Sequence, residues 1–169
     1  MPIADSTVTL EEIRDTDFEA LTALAYAIWL PHYSPLVGAE KTEYILSLRF
    51  TPDNLRAYIG ATDKGLELLR VDGELVGYCS YAKHDDELKL EQLYLLSDYK
   101  GRGLGGLMLR HAEGRGRDFG CARIFLQVAK GNEDAIAVYL RTGFVIREAV
   151  EIDIGDGFVM DDYILEKTI

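Results

Sequence analysis

The stretch Leu90-Glu-Gln-Leu-Tyr-Leu-Leu-Ser-Asp-Tyr-Lys-Gly-Arg-Gly-Leu-Gly-Gly-Leu-Met-Leu109 decides the fold, because an apolar strand pattern runs through a glycine-dense turn into an apolar helix pattern. Glycines at 101, 103, 105 and 106 permit φ > 0 and close approach to the backbone, so successive N–H groups can converge on one anion at a helix N-terminus. Such a cradle suits a diphosphate.

Three ligand classes use a glycine-rich turn between strand and helix. A nucleoside triphosphate loop needs Gly-x-x-x-x-Gly-Lys-Ser/Thr, so that a lysine and a hydroxyl close on phosphates and Mg²⁺, and the chain has no such run. A dinucleotide fold needs Gly-x-Gly-x-x-Gly, which Gly101, Gly103 and Gly106 match, plus an acidic residue about 20 positions on for the ribose. That acid is missing: the next apolar strand, Arg123-Ile-Phe-Leu-Gln-Val128, ends without one, and Glu133 falls in the following helix pattern. Read one residue earlier, Lys100-Gly-Arg-Gly-Leu-Gly105 resembles the Gln/Arg-x-x-Gly-x-Gly/Ala loop of the GNAT acetyl-CoA-dependent N-acetyltransferases. Leu93-Tyr-Leu95 resembles that family's strand before the loop. Asn132-Glu-Asp-Ala-Ile-Ala-Val-Tyr-Leu-Arg-Thr-Gly-Phe144 resembles its downstream Asn-x-x-Ala-x-x-x-Tyr-x-x-x-Gly-Phe signature. Lys100 departs from the pattern by exchanging a forked donor for a point charge. The tail from 154 to 169 and the segment Trp29-Leu-Pro-His-Tyr33 are similar to the PaiA-type polyamine acetyltransferase branch.

The chain has 169 residues, 48% of them hydrophobic, enough for one buried core, so residues 1–169 read as a single domain. The longest apolar run, Ala20 to Leu30, is short of a membrane span, and Met1-Pro-Ile-Ala-Asp5 has no basic start leading into an apolar segment. The expectation is a cytoplasmic protein with no membrane partner. Cys79 and Cys121 lack metal-ligand spacing and read as buried small hydrophobes, and no metal is expected. A net charge of −11 repels nucleic acid and draws in a cationic substrate. The anionic acetyl-CoA that the resemblance implies must then be held locally, by Lys100, Arg102 and backbone N–H groups. Homodimerisation stays open.

Along the chain, Thr7 to Glu11 alternates as a strand, and a helix capped by Asp15 or Thr16 is expected to stop at Pro31. Ala39–Leu48 and Pro52–Ile59 read as two more helices, the latter with Thr51 as N-cap. Leu66–Val71, the turn Asp72-Gly73 and Leu75–Tyr81 read as a hairpin, and Glu87–Leu96 as the next strand. The helix from Leu104 to about Phe119 carries Gly114 and Gly116, each costing about 1 kcal/mol relative to alanine, which predicts frayed last turns. Cys121–Val128, an Asn132-capped helix to Thr142, and two strands around Gly155-Asp-Gly157 complete a β-α-α-α-β-β-β-α-β-α-β-β order. This order, with the resemblance, predicts an α/β (α+β) GNAT-like fold: a mixed, mostly antiparallel sheet of six or seven strands with helices on both faces.

Acetyl transfer to an amine needs a neutral nucleophile, a polarised thioester carbonyl and a proton for the departing thiolate. The resemblance places the polarising N–H at Leu95, has Leu93 and Leu95 clamp the pantetheine arm beside Tyr94, and gives the pyrophosphate to Lys100, Gly101, Arg102, Gly103, Leu104, Gly105 and Gly106, with Asn132 completing the cofactor site. Tyr139 is the expected proton donor, since a phenol of ordinary pKa about 10 stays protonated at pH 7 yet lies near a thiol at about 8.5. Glu91 is the expected base, with a water chain as the alternative. Strand alternation puts Glu91 on one face with Leu93 and Leu95, where desolvation would raise its pKa. Trp29, His32, Tyr33 and Glu91 are the expected acceptor-side residues, against roles as core aromatics and a surface histidine. Asp161 and Asp162 could hold a second ammonium, although paired acids beside a turn are usually solvated. Arg110, Arg115 and Arg117 could reach the ribose phosphate, although a solvated helix face competes. The substrate implied is a polyamine or other small cationic amine attacking directly in a ternary complex. The alternatives are a protein N-terminus or lysine, and a non-catalytic acyl-CoA sensor.

Overall fold

A computed structural model describes residues 5–169; the expectation for Met1 to Ala4 lies outside the described residues. Seven strands, β1 (Val8–Glu12), β2 (Lys64–Val71), β3 (Glu74–His84), β4 (Glu87–Leu95), β5 (Arg123–Ala129), β6 (Val145–Gly155) and β7 (Phe158–Thr168), form one sheet in the order β1-β2-β3-β4-β5-β7-β6. Every pairing is antiparallel except β4 with β5. Helices α1 (Phe18–Val37), α2 (Ala39–Arg49) and α3 (Pro52–Arg56) cover one face, where Leu21, Ala25 and Leu46 pack on Leu66, Leu68 and Tyr78. On the other face lies α4 (Leu104–Asp118), whose Leu109 and Ala112 meet Leu88, Leu90 and Ile124, joined there by Tyr139 of α5 (Glu133–Arg141). The element order and the two covered faces agree with the sequence reading. No helix among the described residues is long and apolar enough to cross a membrane.

The strand patterns earn their places by burial: β2 is buried on both faces and reads as a nearly continuous apolar run, Leu66 to Leu69. Asp72 and Gly73 both take positive φ, 51° and 83°, which matches the primed turn expected from Asp-Gly.

The first helix does not stop at Pro31. It continues to Val37 with Pro31 and Pro35 inside it. A proline removes one backbone donor and frees the carbonyl four residues back, here those of Ala27 and Pro31, and both of these residues are exposed, so water can take the freed acceptors. Trp29, His32 and Tyr33 therefore project from a continuous helix rather than from a loop. The third helix is shorter than expected, but Thr51 caps it as anticipated, its hydroxyl accepting from the N–H of Asn54 at 3.2 Å.

The last turns of α4 hold despite their two glycines. Gly116 is buried, and a Cβ there would stand 2.7 Å from Ile169 Cδ1 and 3.1 Å from Leu88 Cδ2, so a side chain at this position forces both packed side chains to shift. At Gly114 a Cβ meets nothing within 4 Å. Gly114→Ala should therefore raise stability by about 0.5–1 kcal/mol through helix propensity, whereas Gly116→Ala should lower it despite the same propensity gain. Chemical denaturation of the two variants checks the opposite signs.

Candidate active site

The site begins where two strands part. β4 and β5 pair from Glu87↔Arg123 to Lys89↔Phe125 and no further. Beyond that point β4 stays on β3 through Leu95↔Gly77, and β5 stays on β7 through Ala129↔Asp162. The N–H of Leu96 donates to the Val76 carbonyl at 2.9 Å. Since alternate residues of an antiparallel ladder face the partner, the N–H and C=O of Leu93 and Leu95 turn the other way, toward the gap β5 has left. The parted strands thus leave free the Leu93 carbonyl and the Leu95 N–H, the acceptor and donor that the resemblance assigned to the pantetheine arm and the thioester.

A bulge reshapes β4 just before these residues. Ser80 pairs with Gln92 and Tyr81 with Leu90, which leaves Glu91 as the extra residue. The strict alternation expected from sequence is broken. Leu90, Leu93 and Leu95 pack on the α4 side, whereas Glu91, Gln92 and Tyr94 contact the aromatic side chains under α1 to α3. Glu91 and Leu95 do not share a face, because one inserted residue reverses the phase.

Two clefts meet at the gap. One of about 890 Å³ lies between β4, the glycine loop and α5, and one of about 750 Å³ lies under α2 and α3. Tyr33, Glu91, Gln92, Tyr94, Gln127 and Val128 line both.

The larger cleft carries the anion cradle. Gly101 and Gly103 take φ of 77° and 81°, and Gly103 is the left-handed residue at the start of α4. The first helical bond runs from Leu107 N–H to the Gly103 carbonyl, so the N–H groups of Leu104, Gly105 and Gly106 have no helical acceptor. Among the described residues none accepts from the N–H of Gly101, Arg102 or Gly103 either. A Cβ on Gly105 would meet only Leu93 Cδ2 at 4.0 Å. The room there and the donor set suit the pyrophosphate of acetyl-CoA. Among the described residues Lys100, Arg102 and Arg110 flank the loop outside any ion pair, and Arg110 reaches back to 3.0 Å from where a Gly106 Cβ would stand. Arg115 and Arg117 sit at the far end of α4 on Asp118 and Glu113, and they do not reach the loop.

Tyr139 lines this cleft with its ring edge-on to Phe144 at 5.3 Å. Burial raises its phenol above the ordinary value, so it stays protonated but is a weaker acid than an exposed tyrosine. Asn132 occupies the N-cap position of α5 without capping it. Its Nδ2 donates instead to Tyr33 Oη at 3.3 Å, and Tyr33 Oη lies 2.9 Å from Tyr94 Oη. His32 meets Tyr33 edge-on at 4.7 Å and lines the larger cleft, not the one on the acceptor side.

The smaller cleft has an aromatic floor. Trp29 is 4% exposed and its indole N–H donates to Tyr78 Oη at 2.9 Å, while Tyr78 donates to Gln92 Oε1 at 2.9 Å. Tyr58 Oη donates to Glu91 Oε1 at 2.5 Å, and burial followed by the Glu91 charge raises the Tyr58 phenol. The paired acids of the last hairpin separate. Asp161 is exposed on Lys130 at 2.7 Å, whereas Asp162 is 3% exposed, accepts only from Gln127 Nε2 at 2.8 Å and has no cation within 4.0 Å among the described residues. Burial raises its carboxyl above the usual range. The expectation of a solvated pair fails for Asp162 because neighbours on a strand point to opposite faces. Sequence reasoning also missed Arg49, Tyr58, Gln92 and Gln127, which only the helix packing and the bulge bring to this wall.

The sequence pattern of the acetyltransferase (GNAT) family matches residues 19–144. The chain belongs to that family. It is an acyltransferase of the N-acetyltransferase type, and acetyl-CoA is its co-substrate. It is 26% identical over 155 residues to an uncharacterised N-acetyltransferase of Mycobacterium bovis, covering 91% of this chain and 99% of the relative. Its fold is similar to that of a PaiA N-acetyltransferase from Thermoplasma acidophilum in complex with coenzyme A, with a TM-score of 0.82, 20% identity, and 96% and 99% of the two chains covered. It is also similar to Arabidopsis thaliana Naa50 in complex with a bisubstrate analogue, with a TM-score of 0.69, 23% identity, and 96% and 99% covered.

The cradle gives a direct test at Gly105, which has ordinary φ and free space around its missing Cβ. Gly105→Val should cost the fold no more than about 1 kcal/mol and lower acetyl-CoA affinity at least about tenfold. Calorimetric titration beside a melting curve separates the two effects.

Proposed function

We propose that the chain transfers acetyl from acetyl-CoA to the primary amine of a small molecule that arrives as its ammonium ion, by direct attack in a ternary complex. The observation that carries this reading is the meeting of the two clefts at the parted strands: a thioester laid along β4 from one side faces an amine entering from the other. The Leu95 N–H polarises the carbonyl. Glu91, held by Tyr58, takes the amine proton directly or through water. Tyr139, which burial makes a weaker acid than the near match to a thiol expected from sequence, donates a hydrogen bond to the sulfur as charge gathers there. Leu93, Tyr94 and Asn132 shape the donor side, while Trp29 and Tyr33 shape the wall beside the acceptor.

A net charge of −11, together with Glu91 and the unpaired Asp162 in the acceptor cleft, supports a cationic amine, of which a polyamine is the member read from the sequence. The likeness to Naa50, bound to a CoA-peptide analogue in its solved structure, supports a protein N-terminus as the second reading. Thiol release with amines and peptides at fixed acetyl-CoA decides between them; release with peptides alone overturns the small-amine reading.

Tyr139→Phe removes the donor and little volume, so kcat should fall by about 10²-fold while acetyl-CoA affinity holds. Unchanged kcat makes Tyr139 a packing residue. Glu91→Gln keeps the Tyr58 contact but cannot accept a proton, so its deficit should shrink as pH rises toward the amine pKa of about 10.4 and free amine accumulates. A loss uniform across pH assigns Glu91 a positioning role.

A further inference from the structure

Most arginines of this acidic chain lie within 4.0 Å of a carboxylate. Arg49, at the end of α2, does not. The residue is half-buried and lines the acceptor cleft, and its guanidinium lies 5.3 Å above the centre of the Trp29 ring, with no carboxylate on it among the described residues. Its positive field reaches the phenols of Tyr33, Tyr58, Tyr78 and Tyr94 and the carboxyl of Asp162. Tyr58 is also the residue that hydrogen-bonds Glu91, and Arg49 and Glu91 line the same cleft. A guanidinium withdrawn from water without a counter-ion is costly, and its planar fork matches a carboxylate in two parallel hydrogen bonds. Asp162 mirrors it as a buried carboxylate without a cation. Arg49 and Asp162 thus stand on this wall as groups of opposite sign without a salt bridge among the described residues, beside Glu91 and the more peripheral Lys41, Asp63, Lys64, Lys83 and Lys89.

We infer that the acceptor is amphoteric: a small primary amine that also carries a carboxylate, with the carboxylate held by Arg49 above Trp29 and the amine directed toward Glu91. This rests on the acetyl-transfer reading of the site and narrows it, since a plain polyamine leaves Arg49 unmatched and places further positive charge beside it. Arg49 is a specificity-determining residue in this scheme and takes no part in proton transfer.

The test uses the intact protein, acetyl-CoA and three acceptor series of matched length: amino carboxylates, the corresponding amino amides, and diamines. Thiol release should be fastest with amino carboxylates at low concentration. Arg49→Gln should raise KM for them about 10- to 100-fold with little change in kcat, and should move the amides by less than about threefold. Arg49→Lys should recover part of the loss. Trp29 is the only tryptophan of the chain, so its fluorescence gives a readout free of catalysis: amino carboxylates should perturb it in the wild type and not in Arg49→Gln. Diamines outrunning amino carboxylates in the wild type, or an Arg49→Gln loss equal across all three series, overturns the inference while leaving acetyl transfer intact. Absence of thiol release with every amine overturns the acetyl-transfer reading itself, and this one with it.

Discussion

The architecture depends on a sheet that is deliberately incomplete. Backbone N–H and C=O groups inside a protein are almost always paired, so a central strand that leaves its neighbour after three residue pairs creates a strong demand for another partner. Each strand of the split is anchored on its outer side, β4 by β3 and β5 by β7, so neither can close the gap without giving up a ladder. The opening is therefore a stable feature of the fold. It also supplies a passage between the two faces of the sheet, which an intact sheet would seal.

That passage explains why the aromatic residues are hydrogen-bonded in chains. Trp29 to Tyr78 to Gln92 to Ser80 runs beneath the acceptor cleft, and Asn132 to Tyr33 to Tyr94 runs between the two clefts. Each phenol or amide finds a partner, which a buried polar group requires, and the chain of partners fixes side-chain orientation from both sides of the gap. Asn132 shows how this competes with local rules: at an N-cap it would ordinarily bond the first turn of α5, yet its amide turns to Tyr33. The resemblance marked Asn132 as a site residue, while capping logic alone would have assigned it to helix termination.

The loop and the element order were legible because they rest on local chemistry: positive φ at Gly101 and Gly103, an Asp-Gly turn, and a helix pattern starting at Leu104. What escaped the sequence depended on events with no local signature. A one-residue bulge at Glu91 reversed the phase of the strand at its most important position. Two prolines failed to end α1, since the residues whose carbonyls they free, Ala27 and Pro31, are exposed, and this kept Trp29 and Tyr33 on one helix. Asp162 was closer to legible, since period-two alternation alone separates it from Asp161. Arg49 was not legible, because nothing in Ser47-Leu-Arg49 says which way the end of α2 points.

Charge organises the two clefts differently. The chain is strongly acidic, and an anionic co-substrate approaches against that field. Lys100, Arg102 and Arg110, outside any ion pair among the described residues, together with the N–H groups at the start of α4 that have no partner there, offset it locally, where short distances outweigh a screened global charge. On the acceptor side the global field and Glu91 act together on an ammonium, so selectivity there cannot come from net charge, which draws in every amine alike. It has to come from the unmatched groups of the wall. A buried carboxylate and a guanidinium on a half-buried arginine present a pattern of charge rather than a sum, and a pattern can discriminate among amines where a sum cannot.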